Sequence, residues 1–179
     1  MASLSDNPKV LLRPFEEEDL WLIDRAATDP DFVGEFQWFG FGSGAGLRRR
    51  WEEDGLLGSS PFNLCVALGD NSCVGWVDWR ETDRAGPGVL EIGALITPEY
   101  RGRGVGTAAH MLLVDHLFTT TPAHRIWAGT EVGNVGEHKA LERCGFEQEG
   151  LLRGHHFRDG QWRDSYIYGL IRPDHTRRA

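Results

Sequence analysis

No stretch of this chain approaches the ~18 consecutive apolar residues that a membrane-spanning helix requires. Its first residues also lack the apolar core of a secretion signal. Cysteine is scarce: Cys65, Cys73 and Cys144 are odd in number and form no CxxC pair. That pattern is expected of reduced thiols in a cytoplasmic protein rather than of a disulfide scaffold or a metal cluster. Basic excess is missing too. The 19 Lys and Arg face 27 Asp and Glu, a net charge of −8, which argues against nucleic acid bound on a broad basic face. The same charge favours the approach of a cationic small molecule or peptide. Repeats, low-complexity tracts and dividing linkers are lacking as well, so residues 1–179 are expected to form one domain with a substantial core.

One glycine-rich segment stands out against these absences. Residues 91–107, EIGALITPEYRGRGVGT, read as the end of an apolar strand, a Pro-marked turn, a basic loop and a helix beginning near Gly104. Glycines let backbone N–H groups approach an anion, and the helix that follows turns the positive end of its dipole toward it. Arg101 and Arg103 add fixed positive charge, so the segment is suited to a phosphate. A Walker loop is excluded because Thr107 follows Gly106 with no Lys between them. A dinucleotide fold places its glycine turn after the first strand, whereas here about four strands precede it.

The rest of the chain supplies the setting. Strands are expected over 10–15, 63–68, 73–79, 89–96, 125–130, 148–154 and 161–171, with 63–79 forming a hairpin around residues 69–72. Helices are expected over 16–27, 46–57 and 134–144, the last closed by Gly145. Val105, Ala108, Ala109, Leu112, Leu113 and Leu117 follow 3/4 spacing and predict a buried amphipathic helix. The 48–54 charges read as a solvated face. The class is α/β (α+β), with helices interrupting a largely antiparallel sheet.

At this point the motifs resemble a known family. Arg101-x-x-Gly104-x-Gly106 is similar to the coenzyme-binding signature of the GNAT superfamily of N-acetyltransferases. Asn134-x-x-Glu137-x-x-x-Leu141 running on to Cys144-Gly145-Phe146, and Asp159-Gly160-x-Trp162-x-Asp164-x-x-x-Tyr168, resemble the branch that holds the ribosomal-protein N-terminal alanine/serine acetyltransferases. The resemblance covers about residues 9–172. It implies a central sheet of about seven strands with a splay between strands 4 and 5, where the pantetheine arm of acetyl-coenzyme A lies. Leu95, Ile96 and Thr97 would then pair with the arm through their backbones, and Arg101, Gly102, Arg103, Gly104, Val105, Gly106 and Thr107 would hold the pyrophosphate. Asn134 would bond the arm, serve as a helix N-cap, or do both.

Transfer to an amine needs a neutral nucleophile, and a base contributes ~10²–10⁴-fold. Glu91, on the strand leading to the splay, is the candidate base, with a substrate anchor or an exposed carboxylate as alternatives. The family's usual tyrosine acid falls on Leu141 and is missing. Glu137 is a candidate for proton transfer, or else completes a capping box with Asn134. Tyr166 and Tyr168 are candidate replacement acids. Trp38 and Phe39 are candidates for the acceptor wall, Glu35 and Asp164 for anchors of a cationic amine, and Trp76, Trp79 and Trp162 read as core. Cys144 is not expected to carry an acetyl group. Adjacent His155 and His156 point opposite ways on a strand, so no metal is expected.

The function implied is direct transfer from acetyl-coenzyme A to a primary amine, either a protein N-terminus or a small molecule. The alternative is a non-catalytic acyl-coenzyme A sensor of the same fold. Neither nucleic acid nor membrane is an expected partner, and a homodimer is an expectation from the family alone.

Overall fold

The computed structural model describes residues 9–82 and 88–176, so the ends of the expected 1–179 domain lie outside the described residues. Val10–Arg13 (β1), Phe62–Leu68 (β2), Cys73–Glu81 (β3) and Val89–Ile96 (β4) form an antiparallel meander. Arg125–Glu131 (β5), Glu147–Arg158 (β6) and Gln161–Ile171 (β7) form a second antiparallel block. Together they make one seven-stranded sheet in the order β1-β2-β3-β4-β5-β7-β6, the mostly antiparallel arrangement the sequence implied.

Side chains alternate across this sheet because strand residues point to opposite faces. One face carries Val66, Val77, Leu90, Ile92, Ile126 and Ala128 and packs on Val105–Thr120 (α4). The stripe α4 buries is Val105, Ala109, Leu113 and Leu117 together with His110, Val114 and Phe118. Leu112, assigned to the stripe from spacing, is instead 37% exposed. Each fully buried Leu or Val contributes on the order of 1.5–3 kcal/mol, so this face carries most of the core.

The opposite face is covered only in part, by Trp21–Thr28 (α1), Pro30–Val33 (α2) and Ala45–Asp54 (α3). They bury Cys65, Ala67 and Leu95 under Leu20, Ile23, Leu22, Phe32 and Val33. The expected helix over 16–27 is split: a single 3-10 turn, Glu17–Asp19, precedes α1. Arg13 holds Asp19 at 2.5 and 3.0 Å, and Asp19 accepts from the Glu16 amide at 2.8 Å. Helix α2 falls where no element was expected. Asp29 caps it through the Asp31 and Phe32 amides, with Pro30 at its first position. Arg48 pairs with Asp24 of α1 and Arg50 with the Ser59 and Pro61 carbonyls, so these two tie elements together, while Arg49, Glu52 and Glu53 are exposed as expected of a solvated face. Helices Val135–Arg143 (α5) and Arg172–Thr176 (α6) complete the chain.

The expectation of three reduced thiols is corrected. Cys65 and Cys73 are joined across the β2–β3 hairpin, and Cys144 is free. A register shift between Val66 and Ala67 sets the two cysteines side by side, with Cα atoms 6.1 Å apart. A separation of eight residues carries no motif that would announce it. Among the described residues no helix is long and apolar enough to cross a membrane.

Candidate functional site

β4 and β5 are parallel neighbours for only three pairs, Val89↔Arg125, Leu90↔Ile126 and Glu91↔Trp127. Beyond them the strands part. Alternation along an antiparallel pair sends the peptide groups of successive residues to opposite edges. Thr97 donates to the Val74 carbonyl at 2.9 Å, on the β3 side. The Ala94 and Ile96 peptide groups therefore face the gap, and of the three residues expected to pair with a ligand arm only Ile96 presents its backbone there. Thr97 and Leu95 are 4% exposed, the latter packed beneath α2.

The gap runs into the glycine loop. Gly102 and Gly104 have φ of 70° and 79°, a left-handed conformation that costs a side-chain-bearing residue roughly 1–2 kcal/mol. No side chain caps α4, so the first-turn amides at Val105, Gly106 and Thr107 are left for an external acceptor. The cleft that results is about 590 Å³ and is lined by Ile96, Arg101, Gly102, Gly104, Gly106, Thr107, Asn134 and Glu137, among others. Gap, uncapped helix start and glycine turn together fit an elongated ligand with an anionic end.

The two arginines of the loop have different duties. Arg101 Nε donates to the Ile96 carbonyl at 2.8 Å and its NH2 group to the Phe32 carbonyl. It is a clamp between the loop and α2, and burial pushes its pKa below the ordinary value, with Glu99 opposing. Arg103 is exposed, its guanidinium 5.8 Å from the Tyr100 ring centroid. Its guanidinium is not tied to backbone carbonyls as that of Arg101 is.

The segment from Glu35 to Phe39 carries the expected anchor Glu35 and the expected wall residues Trp38 and Phe39. Trp38 packs on the α2 cluster and against Phe41, while Phe39 is 66% exposed beside His156. The cleft is walled instead by Glu35, Phe36 and Gln37. Gln37 Nε2 donates to the Ala94 carbonyl at 2.7 Å, and Phe36 lies under the Arg158 guanidinium at 5.6 Å. No motif marks these residues; a short helix ending at Gly34 is what aims them.

On the far wall, Asn134 caps α5: its Oδ1 accepts from the Glu137 amide at 3.4 Å and its Nδ2 donates to Thr130 Oγ1 at 3.1 Å. The reciprocal half of a capping box is not made. Glu137 Oε1 instead meets His110 Nε2 at 2.8 Å, and the His110 Nδ1 is buried without a partner. Burial pushes the Glu137 carboxyl up, but the His110 charge and hydrogen bond outweigh it and hold the pKa below the ordinary value. Neither motif nor spacing ties residue 110 to residue 137 in the sequence.

Other expected residues fall elsewhere. Glu91 is held by Arg80 at 2.9 and 2.6 Å, where β4 and β5 are still paired, and does not line the cleft. Tyr168 is 1% exposed, its hydroxyl 3.5 Å from Glu142 and Gln148, and Tyr166 packs against His138. Trp79 is core and stacks on Phe62, but Trp162 is 67% exposed. Asp164 accepts from the Gly154 amide at 2.7 Å within the β6–β7 hairpin. Burial pushes the Cys144 thiol up to about 12, with Glu137 and Asp115 adding to it. Beside the cleft, Glu131 binds Arg158 at 3.0 and 2.7 Å and His156 at 3.1 Å. The described residues also bring Asp19 near Cys65 and Cys73. There the sulfurs are bonded to each other and Asp19 to Arg13, so no thiolate is offered to a metal.

With this geometry in place, comparison with known proteins is direct. Residues 9–147 match the family described as acetyltransferase (GNAT) domain. The spermidine N(1)-acetyltransferase of Escherichia coli (strain K12) is 31% identical over 156 residues, 87% of this chain and 82% of that one. The ribosomal protein uS5-alanine N-acetyltransferase of the same strain is 33% identical over 85 residues, 48% of this chain and 44% of that one. The probable N-acetyltransferase YjcK of Bacillus subtilis (strain 168) is 31% identical over 105 residues, 59% and 58% of the two chains. The chain thus spans about half the length of these last two relatives. A solved spermidine N-acetyltransferase from Vibrio cholerae, in complex with CoA and spermine, shares the fold with a TM-score of 0.81 at 22% identity, over 94% of this chain and 98% of that one.

Proposed function

The chain belongs to the acetyltransferase (GNAT) family, and on that premise we propose that it moves an acetyl group directly from acetyl-coenzyme A to a primary amine. The observation that carries this reading is the parting of β4 and β5 straight into an uncapped helix start. The pantetheine arm would lie in the gap, against the Ala94 and Ile96 peptide groups and the Asn134 side chain. The pyrophosphate would meet the amides of 102–107 with Arg103 beside them.

Acetyl-coenzyme A supplies an activated thioester; the chain supplies position and protons. Glu137, ionised and hydrogen-bonded to His110, is placed on the cleft wall to relay to the departing thiolate a proton given up by the amine. Glu91, committed to Arg80, is given no proton-transfer role. Direct transfer agrees with a Cys144 thiol raised to about 12, since a thiol so protonated is a poor nucleophile. For the acceptor, relatives acting on spermidine and on a protein N-terminal alanine support a primary amine. The net charge of −8 suits a cationic one.

A thiol-release screen with acetyl-coenzyme A against spermidine, alanine-first peptides, amino acids and aminoglycosides tests the reading. Release with at least one amine is expected. Tight calorimetric binding of acetyl-coenzyme A with no release from any amine would identify a sensor instead.

A further inference from the structure

On the sheet face away from α4, the parting strands both carry glycine. The β4–β5 ladder stops at Glu91↔Trp127, and Gly93 and Gly129 each lie two residues beyond that last pair. Next to Gly93 in the sheet stand Asp78 on β3 and Asn63 on β2, since Asp78 pairs with Gly93 and Asn63 with Asp78. The Asp78 carboxylate leans over Gly93: a Cβ there would meet its oxygens at 3.0 and 3.2 Å. Asn63 is 8% exposed, and its Oδ1 is buried with no hydrogen-bond partner. Directly opposed residues on one face of an antiparallel pair sit roughly 4.5–5.5 Å apart at Cβ, within reach of a hydrogen bond between their side chains.

We propose that Asp78, poised over Gly93 two residues past the last β4–β5 pair, is the base that takes the proton from the acceptor amine, with Asn63 Oδ1 receiving the hydrogen bond of the protonated carboxyl. This rests on the acetyl-transfer reading and names the proton acceptor of the same site. The surroundings suit the task. Enclosure by protein pushes the Asp78 carboxyl above the ordinary carboxylate range and Glu91 adds to it, while Arg80, His110 and the Trp76 indole pull the other way. An orphaned acceptor beside a carboxylate costs free energy, and that cost is relieved when the carboxylate gains a proton to donate.

The step balances. The acceptor arrives as R–NH3⁺; Asp78 takes one proton and becomes the carboxyl, leaving a nitrogen lone pair. That pair forms the C–N bond at the acetyl carbon, the C–S bond breaks, and its electrons leave on the coenzyme A sulfur. The second proton, now on the amide-forming nitrogen, ends on that sulfur, and Asp78 afterwards releases its proton to water. The net products are the N-acetyl amine, coenzyme A thiol and one proton.

The test compares wild type with Asp78→Asn and Asp78→Glu, using spermidine and an alanine-first peptide as acceptors. Acetyl-coenzyme A affinity by calorimetry and the thermal midpoint verify folding. Expected for Asp78→Asn is a fall in acceptor kcat/KM of about 100-fold or more, loss of the acidic limb of the pH profile, and unchanged coenzyme binding. Asp78→Glu should restore part of the rate. Independently of turnover, the Asp78 carboxyl carbon followed by NMR should titrate above the exposed carboxylates. An Asp78→Asn variant within about threefold of wild type with the same acidic limb, or a carboxyl titrating with the surface groups, overturns the assignment to Asp78 alone. Thiol release from no amine overturns the transfer reading and this role together.

Discussion

Gln37 and Ala94 are joined across the gap, the Gln37 side-chain amide donating at 2.7 Å to a carbonyl 57 positions later in the chain. The contact fixes where the wall of the cleft stands relative to β4. Replacing Gln37 with Ala should therefore lower acceptor kcat/KM by about tenfold, as expected when one positioning hydrogen bond is lost near the reacting atoms. The acetyl-coenzyme A dissociation constant should move much less. Steady-state kinetics beside calorimetry separate the two.

Glu137→Gln keeps the shape of the α5 start but removes the charge that faces His110. We expect kcat to fall by about 10²-fold with the thermal midpoint little changed. An unchanged kcat in pre-steady-state thiol release would leave Glu137 with a packing role only.

Arg101 and Arg103 should separate cleanly. Arg103→Ala should weaken acetyl-coenzyme A binding and flatten its dependence on salt, because an exposed cation facing a phosphate is screened by ions. Arg101→Ala should instead lower the thermal midpoint, since the Ile96 and Phe32 carbonyls lose their shared donor. Calorimetry at two ionic strengths and a thermal melt distinguish them.

The Glu131–Arg158 pair is buried, with side chains 9% and 5% exposed. Removing one partner alone, as in Arg158→Met, should cost roughly 3–5 kcal/mol, whereas Glu131→Gln combined with Arg158→Met should recover a large part of it. The Arg158 hydrogen bonds hold the Glu131 carboxyl below its ordinary value, although burial opposes them. A carboxylate with a lowered folded pKa stabilises fully above the unfolded value of about 4.3 and loses that contribution as pH falls through the folded one. Wild type should accordingly lose stability on acidification below about pH 4, and the double variant less; denaturant melts across pH 3–6 measure both.

Cys144→Ala should retain acetyl transfer, and Cys144 should resist iodoacetamide at pH 8, because its thiol is pushed up to about 12. Rapid alkylation or abolished transfer with intact folding would contradict direct transfer.

What could be read from the sequence follows from range. Strand β4 over 89–96, the α4 start at Gly104 and the Asn134 cap are local signals of periodicity, glycine and capping, and the structure has them where expected. The partners of these elements are not local. Glu91 looked free because nothing in a strand pattern shows that Arg80, one strand away, lies directly opposite. Glu137 looked like half of a capping box because Asn134 stands three residues before it, whereas His110 lies 27 residues back on another helix. Phe36, Gln37, Trp38 and Phe39 are consecutive, and nothing local shows that the first two wall the cleft while Trp38 packs on the α2 cluster. The residue that aims the segment is a glycine, Gly34, at the end of a four-residue helix.

The three-pair ladder between β4 and β5 also has a kinetic meaning. An arm laid into the gap would act as the missing strand, splinting two half-sheets that otherwise meet along one short seam. Gly93 and Gly129 lie beyond the last pair that ties the two half-sheets together. A compulsory order, donor first and acceptor second, is the expected outcome, and initial-rate and product-inhibition patterns check it.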